Sequence, residues 1–66
     1  MQNNFSKNLK AIRMFKGIKI KHISDETEIT RETIYDYEKG RTEPTVKNLV
    51  KLAQYLGVSL DQLVYG

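Results

Sequence analysis

Few side chains in this 66-residue sequence could do covalent chemistry, and they are not spaced to do it. There is no cysteine, and His22 is the single histidine, so no zinc set of Cys and His can be assembled. To act as a general base, His22 would need a nucleophile and an orienting acid beside it. No arrangement in the sequence supplies them, and His22 reads as a solvated helix residue. The expectation is therefore no catalytic residue, no metal ligand and no cofactor. Charge is the chemistry that remains. Residues 1–22 carry six bases (Lys7, Lys10, Arg13, Lys16, Lys19 and Lys21) and no acid. Residues 23–43 carry seven acids against Arg31, Lys39 and Arg41. The net charge of +3 and the pI near 9.3 permit a polyanionic partner. The acids of the middle third would repel such a partner unless they face elsewhere.

These groups need a scaffold, and the composition allows one small body. A chain this short buries only about 60% of its unfolded surface, and its 39% apolar residues suffice for one core. That leaves no room for a cofactor cavity. No apolar run is long enough for a membrane span or a secretory signal. The absence of cysteine removes the disulfide staples of small secreted domains. The expectation is a protein of the cytoplasm, with no membrane and no small-molecule ligand.

Helical spacing accounts for the apolar residues. Asn3 or Asn4 can cap a first helix with Phe5, Leu9, Ile12 and the stem of Lys16 on one face, while Met14 lies off that stripe. Ile20, Ile23 and Thr27 line a second helix over about 20–27. Thr30 caps a third over 31–39, with Ile34 and Tyr37 inward and Gly40 at its end. Pro44 and Thr45 begin a fourth, lined by Val46, Leu49, Val50, Leu52, Ala53 and Leu56 and stopped by Gly57. Ser59 caps a last turn carrying Leu60, Leu63 and Val64. The fold class is all-α: five helices, no sheet, one domain over residues 1–66.

The second and third helices, joined by a tight turn, have the layout of a helix-turn-helix at about 20–38. In such a unit the second helix enters the major groove while the first braces it across the backbone. The chain then resembles the phage-repressor and Cro type of helix-turn-helix regulator over nearly its whole length. The resemblance is carried by Ile29-Thr30-Arg31-Glu32-Thr33-Ile34, by Tyr37-Glu38-Lys39-Gly40-Arg41-Thr42-Glu43-Pro44, and by Leu49 through Leu63 with its Leu56-Gly57-Val58-Ser59-Leu60-Asp61 core. Five positions depart from the family pattern. Lys19 and Ile20 stand for a Ser or Thr followed by Gln, Ser24 for Ala, Glu28 for the turn Gly, and Lys39 for Asn. If the turn keeps its left-handed shape, Glu28 costs about 1 kcal/mol.

The resemblance implies a compact five-helix repressor-type domain that acts as a small transcriptional regulator, binding a two-part operator in double-stranded DNA as a homodimer. It implies base reading by Arg31, Glu32 and Asp36, where an Arg fork suits guanine and a carboxylate accepts from cytosine. It implies phosphate contacts from Lys19 and Lys21 at the start of the bracing helix, from Thr33 and Tyr35, and from Lys39 and Arg41 after the third helix. A structural ion pair between Arg13 and Glu38 is implied in the same way. Leu60, Val64 and Tyr65 exceed what a five-residue terminal helix can bury, which makes them the expected dimer contact. The residues taken without the resemblance leave two plainer readings open: lysines such as Lys7 and Lys10 that merely solvate a helix, and a protein-interaction module of the same fold, such as an antitoxin or antirepressor partner.

Overall fold

Helix boundaries fall at the residues that punctuate the sequence. A computed structural model describes residues 4–66, which form α1 (Phe5–Phe15), α2 (Ile20–Thr27), α3 (Arg31–Glu38), α4 (Val46–Leu56) and α5 (Leu60–Val64). No strand occurs among the described residues. Thr30, Thr45 and Ser59 each accept a hydrogen bond from the backbone N–H three residues on, capping α3, α4 and α5. At Ser59 the cap is reciprocal, because Gln62 Oε1 accepts from the Ser59 N–H at 2.9 Å.

Helix α1 starts differently. Asn4 stands at its cap position but makes no side-chain cap bond; its backbone N–H instead donates to Val64 O at 2.8 Å, tying the entry of α1 to α5. Asn3, the other expected cap, lies outside the described residues. The Asn8 amide adds to the same seam by donating to Leu63 O at 3.1 Å and Gln62 O at 3.3 Å, two carbonyls that a helix terminus leaves without an intrahelical partner.

The core is one cluster drawn from every helix. Leu9, Ile23, Ile34, Leu52, Leu56 and Leu63 are fully buried, with Phe5, Ile20, Ile29, Tyr37 and Ala53 around them. Helix α1 packs on α3 and α5, α2 packs on α3 and α4, and α4 packs on α5. The Phe5 and Tyr37 rings meet edge to face at 5.5 Å, and the Tyr37 hydroxyl accepts from Asn48 Nδ2 at 2.9 Å. The third helix is thus fixed on two sides.

Two apolar-face assignments are corrected by the structure. Lys16 does not lie along the α1 face: α1 ends at Phe15, and the chain turns at Gly17, so Lys16 is exposed beyond the helix. Val46 lies on the α4 stripe by periodicity but is 75% exposed. It sits one turn before Leu49, at the open end of the stripe. Met14 is exposed, and Phe15 beside it is 90% exposed.

Candidate nucleic-acid interface

The turn between α2 and α3 decides how the two helices cross, and three residues make it. Glu28 adopts the left-handed conformation at φ 64°, ψ 15°, which an L side chain enters at a cost of about 1 kcal/mol. Ile29 follows it into the core, and Thr30 caps α3. Buried Thr27 holds the turn, donating from Oγ1 to Ile23 O at 2.7 Å and accepting from the Ile29 N–H at 3.3 Å. Lys51 Nζ donates to Thr27 O at 3.2 Å, setting a cation at the negative end of α2.

Arg13 joins three elements behind this unit. Its Nε donates to Glu38 Oε2 at 2.6 Å, Nη2 to Glu38 Oε1 at 3.1 Å, and Nη1 to Ile18 O at 3.1 Å. The side chains are 17% and 6% exposed. The hydrogen bonds that Arg13 donates to Glu38 raise its pKa above the ordinary value against the opposing effect of burial, and the Glu38 charge and the nearby Tyr35 add to the rise. The fork fixes the C-terminal end of α3 to α1 and to the loop entering α2.

Around this anchor lies a cationic cleft. Arg13, Lys19, Ile20, Lys21, Arg31 and Tyr35 line it together, so residues from the start of α2 and the start of α3 share one rim. Lys19 is the residue before α2, and it, Lys21 and Arg31 are all exposed. Ile20 is buried there, so the position where the family carries Gln serves as apolar wall. Thr33 is less free than the sequence suggests: its hydroxyl pairs with that of Thr30 at 2.8 Å.

The outward face of α3 is mixed in charge. Arg31 and Glu32 occupy its first turn, and Tyr35 and Lys39 are exposed further along. Asp36 is half-buried, and Arg41 Nη1 lies 3.6 Å from its Oδ1. The helix ending brings that pair together. Gly40 takes φ 72°, letting its own N–H donate to Tyr37 O at 3.1 Å and the Arg41 N–H donate to Asp36 O at 2.9 Å; these are the two bonds of a Schellman ending. Arg41 therefore leaves the helix directly beside Asp36, one expected phosphate contact against one expected base reader.

Three further acids lie apart from the cationic cleft. Asp25 and Glu26 line a cleft with His22, Ile18 and Tyr55, and Glu26 and Glu28 line a second with Lys51, Gln54 and Tyr55. Neither includes a residue of the cationic rim. The expected dimer residues lie on α5 and its end: Leu60 and Tyr65 are exposed and Val64 is half-buried, while Leu63 fills the core. Among the described residues, no group of His, Cys, Asp and Glu is placed to hold a metal ion, and no helix is long and apolar enough to cross a membrane.

Sequence reasoning missed two contributors to this surface. Arg13 lines the cleft as well as anchoring α3. The Asp36–Arg41 pairing was signalled by Gly40 four residues after Asp36, since a left-handed glycine after a helix folds the next residue back on the last turn.

Comparison with known proteins places these features in context. The helix-turn-helix family model matches residues 9–63. The chain is 42% identical over 62 residues to the SPbeta prophage-derived HTH-type transcriptional regulator YonR of Bacillus subtilis (strain 168), covering 94% of this chain and 57% of that protein. It is 40% identical over 62 residues to the HTH-type transcriptional regulator YqaE of the same strain, covering 94% of this chain and 53% of that protein. The chain thus spans somewhat over half the length of these curated relatives. Among solved structures, a transcriptional regulator from Listeria innocua superposes with a TM-score of 0.87 at 31% identity, covering 97% of this chain and 60% of that one. The restriction-modification controller protein C.AhdI from Aeromonas hydrophila has a TM-score of 0.85 at 23% identity, with 91% of each chain covered, a likeness of fold.

Proposed function

We propose a function from one premise: the chain belongs to the helix-turn-helix family, in its phage-repressor and Cro form. It binds double-stranded DNA and acts as a small transcriptional regulator, a repressor, in the cytoplasm of a bacterium or as the product of a prophage. The observation that carries this reading is the gathering of cations on one rim at the starts of α2 and α3. Lys19, Lys21 and Arg31 gather on one rim with Tyr35, while Asp25, Glu26 and Glu28 line clefts elsewhere.

The mechanism follows from the two helices. Helix α3 enters the major groove with its N-terminal turn leading, and side chains on a helix lean toward that end. Arg31 then offers its fork to guanine O6 and N7, and Glu32 accepts from a cytosine amine. Lys19, Lys21, Lys39 and the Tyr35 hydroxyl contact phosphate and set the register. One eight-residue helix reads few base pairs, so the chain acts as a homodimer on two half-sites about 34 Å apart. Leu60, Val64 and Tyr65 supply the contact between copies.

A gel-shift series against the DNA upstream of the chain's own coding region tests this. A discrete complex that resists unlabelled random duplex supports the proposal. The buried Ile20 and the acids on α3 favour a second reading, an interaction module that binds a protein. Absence of any retained duplex would leave that reading as the better one.

A further inference from the structure

We propose that Asp36 gates Arg41, coupling base reading to phosphate binding so that DNA of the wrong sequence is denied one cationic contact. The inference rests on the DNA-binding reading and deepens it. The Schellman ending places both residues: Gly40 at φ 72° turns the chain, and the Arg41 N–H is held to Asp36 O at 2.9 Å. Arg41 Nη1 then lies 3.6 Å from Asp36 Oδ1, with the side chains 65% and 29% exposed. The guanidinium is open enough to leave, and the carboxylate is less so.

The consequences differ between two kinds of DNA. On any duplex, moving the Arg41 guanidinium to a phosphate strips Asp36 of its counter-charge close to a polyanion. Where the base opposite Asp36 offers an amine donor, as cytosine N4 does, the carboxylate gains a replacement partner and Arg41 is released to the phosphate. Where it offers an acceptor instead, Asp36 keeps Arg41, and one phosphate contact is withheld. Glu32 is the internal comparison: it is an acid on the same helix with no ion-pair partner among the described residues, so it repels wrong DNA by its own charge and through no other residue.

The experiment uses the full chain and fluorescence anisotropy over a range of salt. The probes are a duplex pool of randomised sequence and the duplex that the wild-type chain enriches from that pool. Asp36→Asn is expected to bind the random pool about three- to fivefold more tightly, with a salt slope steeper by roughly one phosphate contact. The ratio of enriched to random binding falls accordingly. In an Arg41→Gln background the steeper salt slope is expected to vanish and the Asp36→Asn gain to shrink to the relief of a bare carboxylate's repulsion, the size that Glu32→Gln gives in both backgrounds. An Asp36→Asn gain that persists undiminished with Arg41→Gln overturns the gate, because the acid then acts alone. If the wild-type chain enriches no duplex, the DNA-binding reading fails and the gate falls with it, a result distinct from binding that lacks coupling. Circular dichroism of each variant confirms that α3 is intact before its binding is compared.

Discussion

Arg13 and Glu38 stand 25 residues apart in sequence and meet through two hydrogen bonds of 2.6 and 3.1 Å. The third donor of the same guanidinium reaches Ile18 O. One side chain thereby ties α1, the loop into α2 and the end of α3, adding a polar tie to the core packing that sets the angle of the proposed reading helix. Removing either partner strands the other where water reaches it poorly. Arg13→Met and Glu38→Gln are each expected to lower stability by about 3 kcal/mol, read as a fall in the urea midpoint. An unchanged midpoint in both would show that the pair does not hold the fold.

The sign of the pH dependence follows from the same contact. Arg13 has a raised folded-state pKa, so its stabilising contribution is fully present below the ordinary guanidinium range and is lost only as pH climbs through the raised value. Alkaline titration should therefore leave the stability difference between wild type and Arg13→Met level from neutral pH to well above it. A difference that shrank before lysine titration began would contradict this.

Glu28 is the described non-glycine residue with a positive φ. Glu28→Gly should relieve about 1 kcal/mol of strain and, after the added freedom of the unfolded glycine is subtracted, raise stability by about 0.5 kcal/mol. For a domain of this size that is about 2–4 °C in Tm. A lower Tm would mean that the Glu28 side chain stabilises the turn by more than its backbone costs.

The dimer proposal places Leu60, Val64 and Tyr65 between copies. Leu60 is exposed and Leu63 alone of α5 is fully buried, so Leu60→Asp changes the surface without opening the core. Sedimentation equilibrium should show self-association of the wild type that weakens at least tenfold in Leu60→Asp. A wild type that stays monomeric throughout removes the contact as a source of free dimer.

Much of the fold was legible because its punctuation is local. Thr30, Thr45 and Ser59 cap helices by bonds to residues three positions on, and spacing alone brings Ile20, Ile23 and Thr27 to one face. What periodicity cannot see is where a neighbour stops. Val46 follows the α4 stripe into solvent and Lys16 extends the α1 stripe past the helix end. Asn4 has the chemistry of a cap but spends its backbone on Val64. At the candidate site, the grouping of Lys19, Lys21 and Arg31 needed the crossing of α2 and α3. Side-chain pairings such as Thr30 with Thr33 and Asp36 with Arg41 depend on rotamers and helix endings that composition does not encode.

The central claim is that α3 reads sequence while the cations flanking it hold phosphate, and base preference in two variants tests it most directly. Duplex pools selected separately by wild type, Arg31→Ala and Lys39→Ala should separate the roles. Arg31→Ala is expected to relax choice at one base pair and to cost about 1–3 kcal/mol on the wild-type site. Lys39→Ala should keep the wild-type preference, weaken every duplex alike and reduce the salt slope by about one contact. Identical base preferences for Arg31→Ala and wild type, with both variants shifted only in salt slope, would contradict the claim that Arg31 reads a base.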